Sequence, residues 1–393
     1  MCPPLPPLRL VGAEILRDGQ MQRRSLALAE GRVTKGPLPA VDLSGYYLMP
    51  GVIDLHGDAF ERHIAPRPSA PFPLIDGIAS ADREAAANGV TTAWFAQGWS
   101  WEGGHRGPDH AEAVLQAVSD YRPRALTDIR VQLRAETHLV DHGRRLIAAV
   151  QRYDVDYVVF NNHLDEALEI ARRAPEDFAL WARKLGRSTE AHHAAIRYAA
   201  ERKREVPRHL CTLAEAFDAL GVAYGSHDDI DGETRERFSM IGARIAEFPT
   251  AHEAAAAARA MGDPVLMGAP NVVRGGSQSG NIAATDLIAA GLCDALVSDY
   301  YYPALVQAAF RLVDLRLKTL AEAWAMISTR PAEILRLADR GHLGYGMRAD
   351  VTVVNAETRS VEATISGGRL TYLAGEAGRR FLGADAGLQL AAE

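Results

Sequence analysis

The chain has 393 residues, 48% of them hydrophobic and 24% charged; that length predicts a large catalytic domain plus a smaller one. A formal net charge of −7 and a pI near 6.0 argue against a general nucleic-acid or anionic-membrane binder, so an anionic ligand has to meet a local basic pocket. Cys2, Cys211 and Cys293 form no C-x-x-C pair, MCPPLPPLRL is broken by proline, and no apolar run reaches 18 residues, which together predict reduced thiols, a cytoplasmic location and no membrane span.

Residues 1–50 read as short strands: LRLVGAEIL, SLALAEGRVT and GYYLMP are apolar or alternating runs separated by Gly, Asp and Pro. Residues 345–393 repeat the pattern in ADVTVVNAE and VEATISGGRLTYLAG. The two ends predict one small composite β-sandwich domain. Between them, residues 51–344 alternate strand-like runs with amphipathic or alanine-rich helices. VIDLH, VTTAWFAQ, IRVQLRAE, YVVFNN, VAYGSHDD, IAEFPT, PVLMGAPN and DALVSD are the strand candidates, and TAHEAAAAARAMG is typical of the helices. This rhythm predicts a parallel sheet with helical crossovers, and a span of about 290 residues suits a (β/α)8 barrel. A charged helical insertion near 165–208 reads as two helices over the barrel mouth or at a subunit contact, with His192 and His193 on a solvated face. The text GWSWEGGHRG, with Trp99 and Trp101, reads as a mobile loop.

Barrel active sites lie at the C-terminal ends of strands. Those ends carry His56 and Asp58, Glu136 with His138, His163, His227 with Asp228 and Asp229, and Asp299. In an extended strand residues i and i+2 share a face, so His56 and Asp58 can grip one cation. Imidazole and carboxylate donors suit Zn2+, Mn2+, Co2+ or Fe2+. A carboxylate such as Glu136, with His138 as its local rival, would bridge two dications. Asp299 is the expected general base. Arg274, Gly275, Gly276 and Ser277 read as a phosphate-binding turn after a strand, and His63 and Arg67 as added positive charge beyond the first ligands.

The succession of H-x-D, a bridging acid, two histidines and a late Asp resembles the amidohydrolase superfamily. HGDAFERHIAPRP, RAE, SHDD, AEFPT, LMGAPNVVRGGSQSGN and SDYYYPALVQAAF resemble the phosphonate-metabolism hydrolase family PhnM, from about Pro50 to ADVTVVN. The resemblance implies two divalent metals, zinc first among them. His56, Asp58, Glu136 and Asp299 would serve one, and Glu136, His163 and His227 the other. It also implies cleavage of α-D-ribose 1-methylphosphonate 5-triphosphate to the 5-phosphate and pyrophosphate. The alternative for the same parts is hydrolysis of a C–N bond in a small cyclic or N-acyl substrate. Two family words are altered: NNHLDEALEI stands where the family carries D-H-x-P-G-Q-R-Q, and Gln278 replaces the histidine of GSHSGN. The expected partner is a small phosphorylated substrate, and the expected assembly a homodimer.

Overall fold

The chain is described by a computed structural model covering residues 4–67 and 70–390, the side chains of 384–390 excepted. Cys2 and residues 391–393, at the edges of the expected composite domain, lie outside the described residues.

Eight parallel strands form the central sheet in sequence order: Val52–Gly57, Val90–Trp99, Asp128–Glu136, Tyr157–Asn161, Ala223–His227, Ile245–Glu247, Val265–Gly268 and Ala295–Val297. The sheet closes on itself. The Asp299 amide donates to the His56 carbonyl at 2.9 Å, and the Asp58 amide donates to the Asp299 carbonyl at 2.8 Å. Asp54 reinforces the seam by accepting from the Ser298 amide (2.8 Å) and hydroxyl (2.6 Å).

Side-chain alternation along the strands divides the apolar residues into two cores. Trp94, Tyr157, Val159, Ile245, Leu266, Ala295 and Val297 fill the barrel. Their neighbours Val131, Leu133, Val158, Phe160, Ala246, Val265 and Leu296 face outward and pack with the helices. The N-terminal end of the barrel is stoppered by residues around Ala332–Leu337 and by Arg340, which donates to Thr92 and Asp128.

The chain ends form two further sheets. One has four strands (Leu8–Val11, Leu26–Ala29, Arg32–Thr34, Ala40–Asp42) and the other six, in which Tyr46–Pro50 lies antiparallel to Val351–Asn355 with Leu48 opposite Val353. They share a core of Leu10, Ile15, Leu28, Leu48, Val353 and Ile365. These sheets are a second domain, and Tyr46–Pro50 runs straight into the first barrel strand.

The insertion contains three helices, Leu164–Arg173, Pro175–Lys184 and Thr189–Glu201, before the crossover helix Val206–Leu220. The sequence reading of two helices missed the break at Ala174-Pro175, where proline restarts the helix at its first turn. His192 is fully buried, against the expectation of a solvated face, between the rings of Trp101, Phe178 and Trp181. The aromatic face of the insertion needs a lining, and His192 is the inward residue that supplies it. No helix among the described residues is long and apolar enough to cross a membrane.

Candidate active site

Two groups of ligand-type side chains meet at the C-terminal end of the barrel. The first joins His56, His227 and Glu247, whose ligand atoms lie within 4.8 Å of one another. Glu247 ends the sixth strand and is completely buried. Gln132 Nε2 (2.7 Å) and the Tyr157 hydroxyl (2.6 Å) both donate to its Oε1. Its Oε2 lies 2.8 Å from His56 Nδ1. Burial pulls the Glu247 carboxyl upward, but the imidazoles of His56 and His227 and these donors leave it below its usual range. An ionised carboxylate can only accept, so His56 Nδ1 carries the proton and Nε2 is the atom presented to a ligand. Burial alone would lower the His56 pKa, and Glu247 reverses it to a net rise. For His227 burial dominates and its pKa falls. Its buried Nδ1 sits 2.9 Å from the Asp228 carboxylate without hydrogen-bond alignment.

The second group is Glu102, Glu136 and His163, again within 4.8 Å. His163 Nδ1 lies 2.6 Å from Glu136 and 3.2 Å from Glu102. Trp101 Nε1 donates to Glu136 Oε2 at 3.1 Å. Arg106 and Ser100 hold Glu102 in place. Burial resists both charges, yet the carboxylates raise His163 to about 9. His163 and Arg106 lower Glu102 to about 2.

Asp58 and Asp299 line the same cavity as His56, His163 and His227. Burial, then the Asp58 charge, pushes Asp299 up to about 7. Asp228, Phe248 and Asp299 each have φ between 50° and 59°. Such left-handed non-glycine residues cluster where a site over-determines the backbone. Here they follow the ends of strands five, six and eight, and turn the chain where His227, Glu247 and Asp299 are presented. A cavity of about 1100 Å³ opens above, lined by His56, Asp58, Arg134, His163, His227 and Asp299, and at its mouth by Lys203, Arg274, Gly276, Ser277 and Tyr300.

The chain is 33% identical over 362 residues to the alpha-D-ribose 1-methylphosphonate 5-triphosphate diphosphatase of Escherichia coli K12, covering 89% of this chain and 92% of that one. The chain belongs to this diphosphatase family. A search of family models gave no match. Among solved structures it is similar to a D-hydantoinase (TM-score 0.63, 13% identity, 95% of this chain and 97% of that one). It is also similar to the beta-aspartyl dipeptidase of Fervidobacterium islandicum AW-1 (TM-score 0.62, 13% identity, 93% and 97%). At those identities the likeness is one of fold, a barrel with a second domain of sheets. As a member of the diphosphatase family the chain is a hydrolase.

The donors gathered at this site suit divalent cations. The buried Nδ1 of His227, without an aligned hydrogen bond, the His56 imidazole and carboxylates from several strand ends form an imidazole–carboxylate set without cysteine. Of the residues named from sequence, His56, Asp58, His163, His227 and Asp299 line the cavity, and Glu136 lies just behind His163. His138 lines the cavity too, but its Nδ1 is engaged by the Thr137 hydroxyl.

Other placements differ from expectation. His63 pairs with Glu84 at 2.6 Å, and Arg67 is exposed; neither lines the cavity, because the helix Phe60–Ile64 carries them back over the barrel wall. Arg274 ends a short helix, Ala269–Arg274, instead of following the strand directly. It donates to Gln278 and Tyr300 at the rim, and Gly275 makes the left-handed turn that ends the helix without lining the cavity. GWSWEGGHRG is not a free loop: Trp99 and Trp101 are buried.

The sequence reading missed Glu247, Glu102 and Asp54. Glu247 was readable in principle, since IAEFPT places an acid at a strand end just as RAE does. Glu102 had no such mark, because it is delivered by the loop after the second strand.

Proposed function

We propose that the chain hydrolyses α-D-ribose 1-methylphosphonate 5-triphosphate to the 5-phosphate and pyrophosphate, in phosphonate breakdown. The observation that carries this reading is the 33% identity to the diphosphatase over nearly the whole of both chains, together with a cavity lined on one wall by carboxylates and imidazoles and on the rim by Lys203 and Arg274. In this reading His56, Asp58, Glu136 and Asp299 hold one divalent cation and Glu136, His163 and His227 a second. Zn2+ is the first candidate, and Mn2+, Fe2+ and Co2+ suit the same donors. Glu247 sets the tautomer of His56, and Glu102 supports His163.

When bound, two such cations supply charge that acidifies water and steadies phosphoryl oxygens. Asp299, half-buried beside the cation site, accepts the proton of the attacking water and returns it to the leaving pyrophosphate oxygen. Attack falls on the α-phosphorus. Arg274, Gly276 and Ser277 meet the outer phosphates, with Gly275 shaping their turn. The acting assembly in this reading is a cytoplasmic homodimer, which sedimentation would check.

The alternative, hydrolysis of a C–N bond, is favoured by one observation: NNHLDEALEI runs directly into the helix Leu164–Arg173, so the polar loop expected after His163 is replaced. Incubating the metal-loaded protein with the ribose triphosphate and, separately, with a hydantoin and an N-acyl amino acid decides between them. Pyrophosphate release supports the proposal. An inert triphosphate with a cleaved amide overturns it.

A further inference from the structure

Arg134 is the least explained charge in the barrel. It lies two residues before Glu136 on the third strand, whose Gln132, Arg134 and Glu136 share the inner face. Val131, Leu133 and Ala135 take the outer face against the helices. Gln132 is occupied by Glu247, and Glu136 by His163 and Trp101. The Arg134 side chain makes no hydrogen bond or ion pair with any described residue, and its Nε is buried without a partner.

The other enclosed arginines of the barrel have side-chain partners. Arg106 is paired with Glu102, Arg340 with Asp128 and Asp339, and Arg235 with Asp229, Ser226 and backbone carbonyls. Arg134 is half-buried, with its Nε shut off from water and its outer nitrogens open to the cavity; leaving such a cation unpaired is costly, so a barrel that pairs its other enclosed arginines holds this one open for something else. It borders both the main cavity and the small recess behind His163. It is close enough for its charge to act on His56, His163, His227, Asp228 and Asp299.

We infer that Arg134 is an anion anchor inside the barrel, a fixed protein cation that takes non-bridging oxygens of a phosphoryl group seated between the two ligand groups. The inference rests on the diphosphatase reading for the identity of that anion. The carboxylates around Arg134 are committed to cations in that reading, which leaves the guanidinium free for the substrate. Its planar fork matches two oxygens of one tetrahedral phosphoryl group, which an ammonium cannot do. Arg274 at the rim and Arg134 at the floor then hold successive parts of an extended polyanion, and Arg134 contacts the phosphoryl group nearest the attacking water.

The test is calorimetric titration of inorganic pyrophosphate into the metal-loaded wild type, Arg134→Gln and Arg134→Lys, with metal content measured on each. The expected result is unchanged metal content with affinity weakened about 10- to 100-fold in Arg134→Gln, and by a smaller factor in Arg134→Lys, since a charge-assisted hydrogen bond of this kind carries that range. If Arg134→Gln does not fold, a several-fold loss in Arg134→Lys with metal retained supports the anchor, because only the fork has gone. Pyrophosphate binding equal to wild type in the folded variants, or no pyrophosphate binding by wild type, overturns it. Loss of metal from Arg134→Lys also overturns it by making Arg134 a support for the ligands. The two claims separate cleanly. If pyrophosphate binding depends on Arg134 but the ribose triphosphate is not cleaved, the anchor stands and the reaction falls. Cleavage with binding indifferent to Arg134 gives the reverse.

Discussion

His56 and Glu247 meet across the barrel, 191 residues apart, with Nδ1 and Oε2 separated by 2.8 Å and both side chains shut off from water. The pair ties the first strand to the sixth and leaves His56 one lone pair to offer. Removing the charge of Glu247 should therefore act on metal affinity. Glu247→Gln is expected to weaken metal binding about 10- to 100-fold, measured by competition with a chromophoric chelator. The His56 ring should lose its fixed tautomer in ¹⁵N NMR. Unchanged affinity would reduce the pair to a packing contact.

Burial and the neighbouring Asp58 charge bring the Asp299 carboxyl to about 7. Asp299→Asn should lower kcat by about 10²- to 10⁴-fold, the usual range for a lost general acid–base. It should also remove the acid limb of the pH–rate profile. Asp299→Asn retaining both the rate and the acid limb would take the proton-transfer role away from Asp299.

The same groups predict how stability of the metal-free protein depends on pH. Asp299 and Glu61 sit at about 7, above their ordinary 3.8 and 4.5, and His163 at about 9, above 6.5. Each is raised, so the folded state binds more protons than the unfolded one. The carboxyl contributions are lost between about pH 4 and 7, and that of His163 between about 6.5 and 9. Glu102 and Asp228, both lowered to about 2, contribute in the opposite sense below pH 5, and the buried histidines whose pKa falls, His227 among them, do so up to about pH 6.5. The melting temperature of the chelated protein should fall from pH 7 to 9, where the contribution of His163 is lost. Added Zn2+ should stabilise it more as pH rises, because ligands must shed protons to bind. A flat profile without metal would contradict the charge assignment.

His192 carries two ring nitrogens with no partner, enclosed by Trp101, Phe178 and Trp181. Replacing it with phenylalanine removes an unsatisfied polar group while keeping a ring of similar shape. His192→Phe should raise stability by about 1 kcal/mol, read from urea unfolding, and leave metal content unchanged. Destabilisation would mean the imidazole makes a polar contact in solution.

Much of the barrel was legible because its strands carry continuous apolar runs bounded by turns: VIDLH, IRVQLRAE, YVVFNN and DALVSD each became a strand with a candidate site residue within two positions of its end. The seam at Asp299 follows from the same rule, since closure must join the last run to the first. What the sequence withheld was lateral. Glu247 reaches His56 only because strand six faces strand one across the barrel, and nothing in IAEFPT says which histidine it meets. Glu102 arrives on a loop that tryptophan burial pins down, although its glycines read as freedom. His63 was lost to Glu84 through a helix of five residues that a linear reading cannot orient. Arg134 hid in plain view, in a word whose glutamate drew the attention.

The most direct measurement is ³¹P NMR of the metal-loaded protein turning over α-D-ribose 1-methylphosphonate 5-triphosphate in ¹⁸O-water. Attack at the α-phosphorus predicts free pyrophosphate without label and an isotope-shifted 5-phosphate resonance carrying ¹⁸O. Label in pyrophosphate would move attack to the β-phosphorus, and no change in the triphosphate with metal bound would contradict the diphosphatase assignment itself.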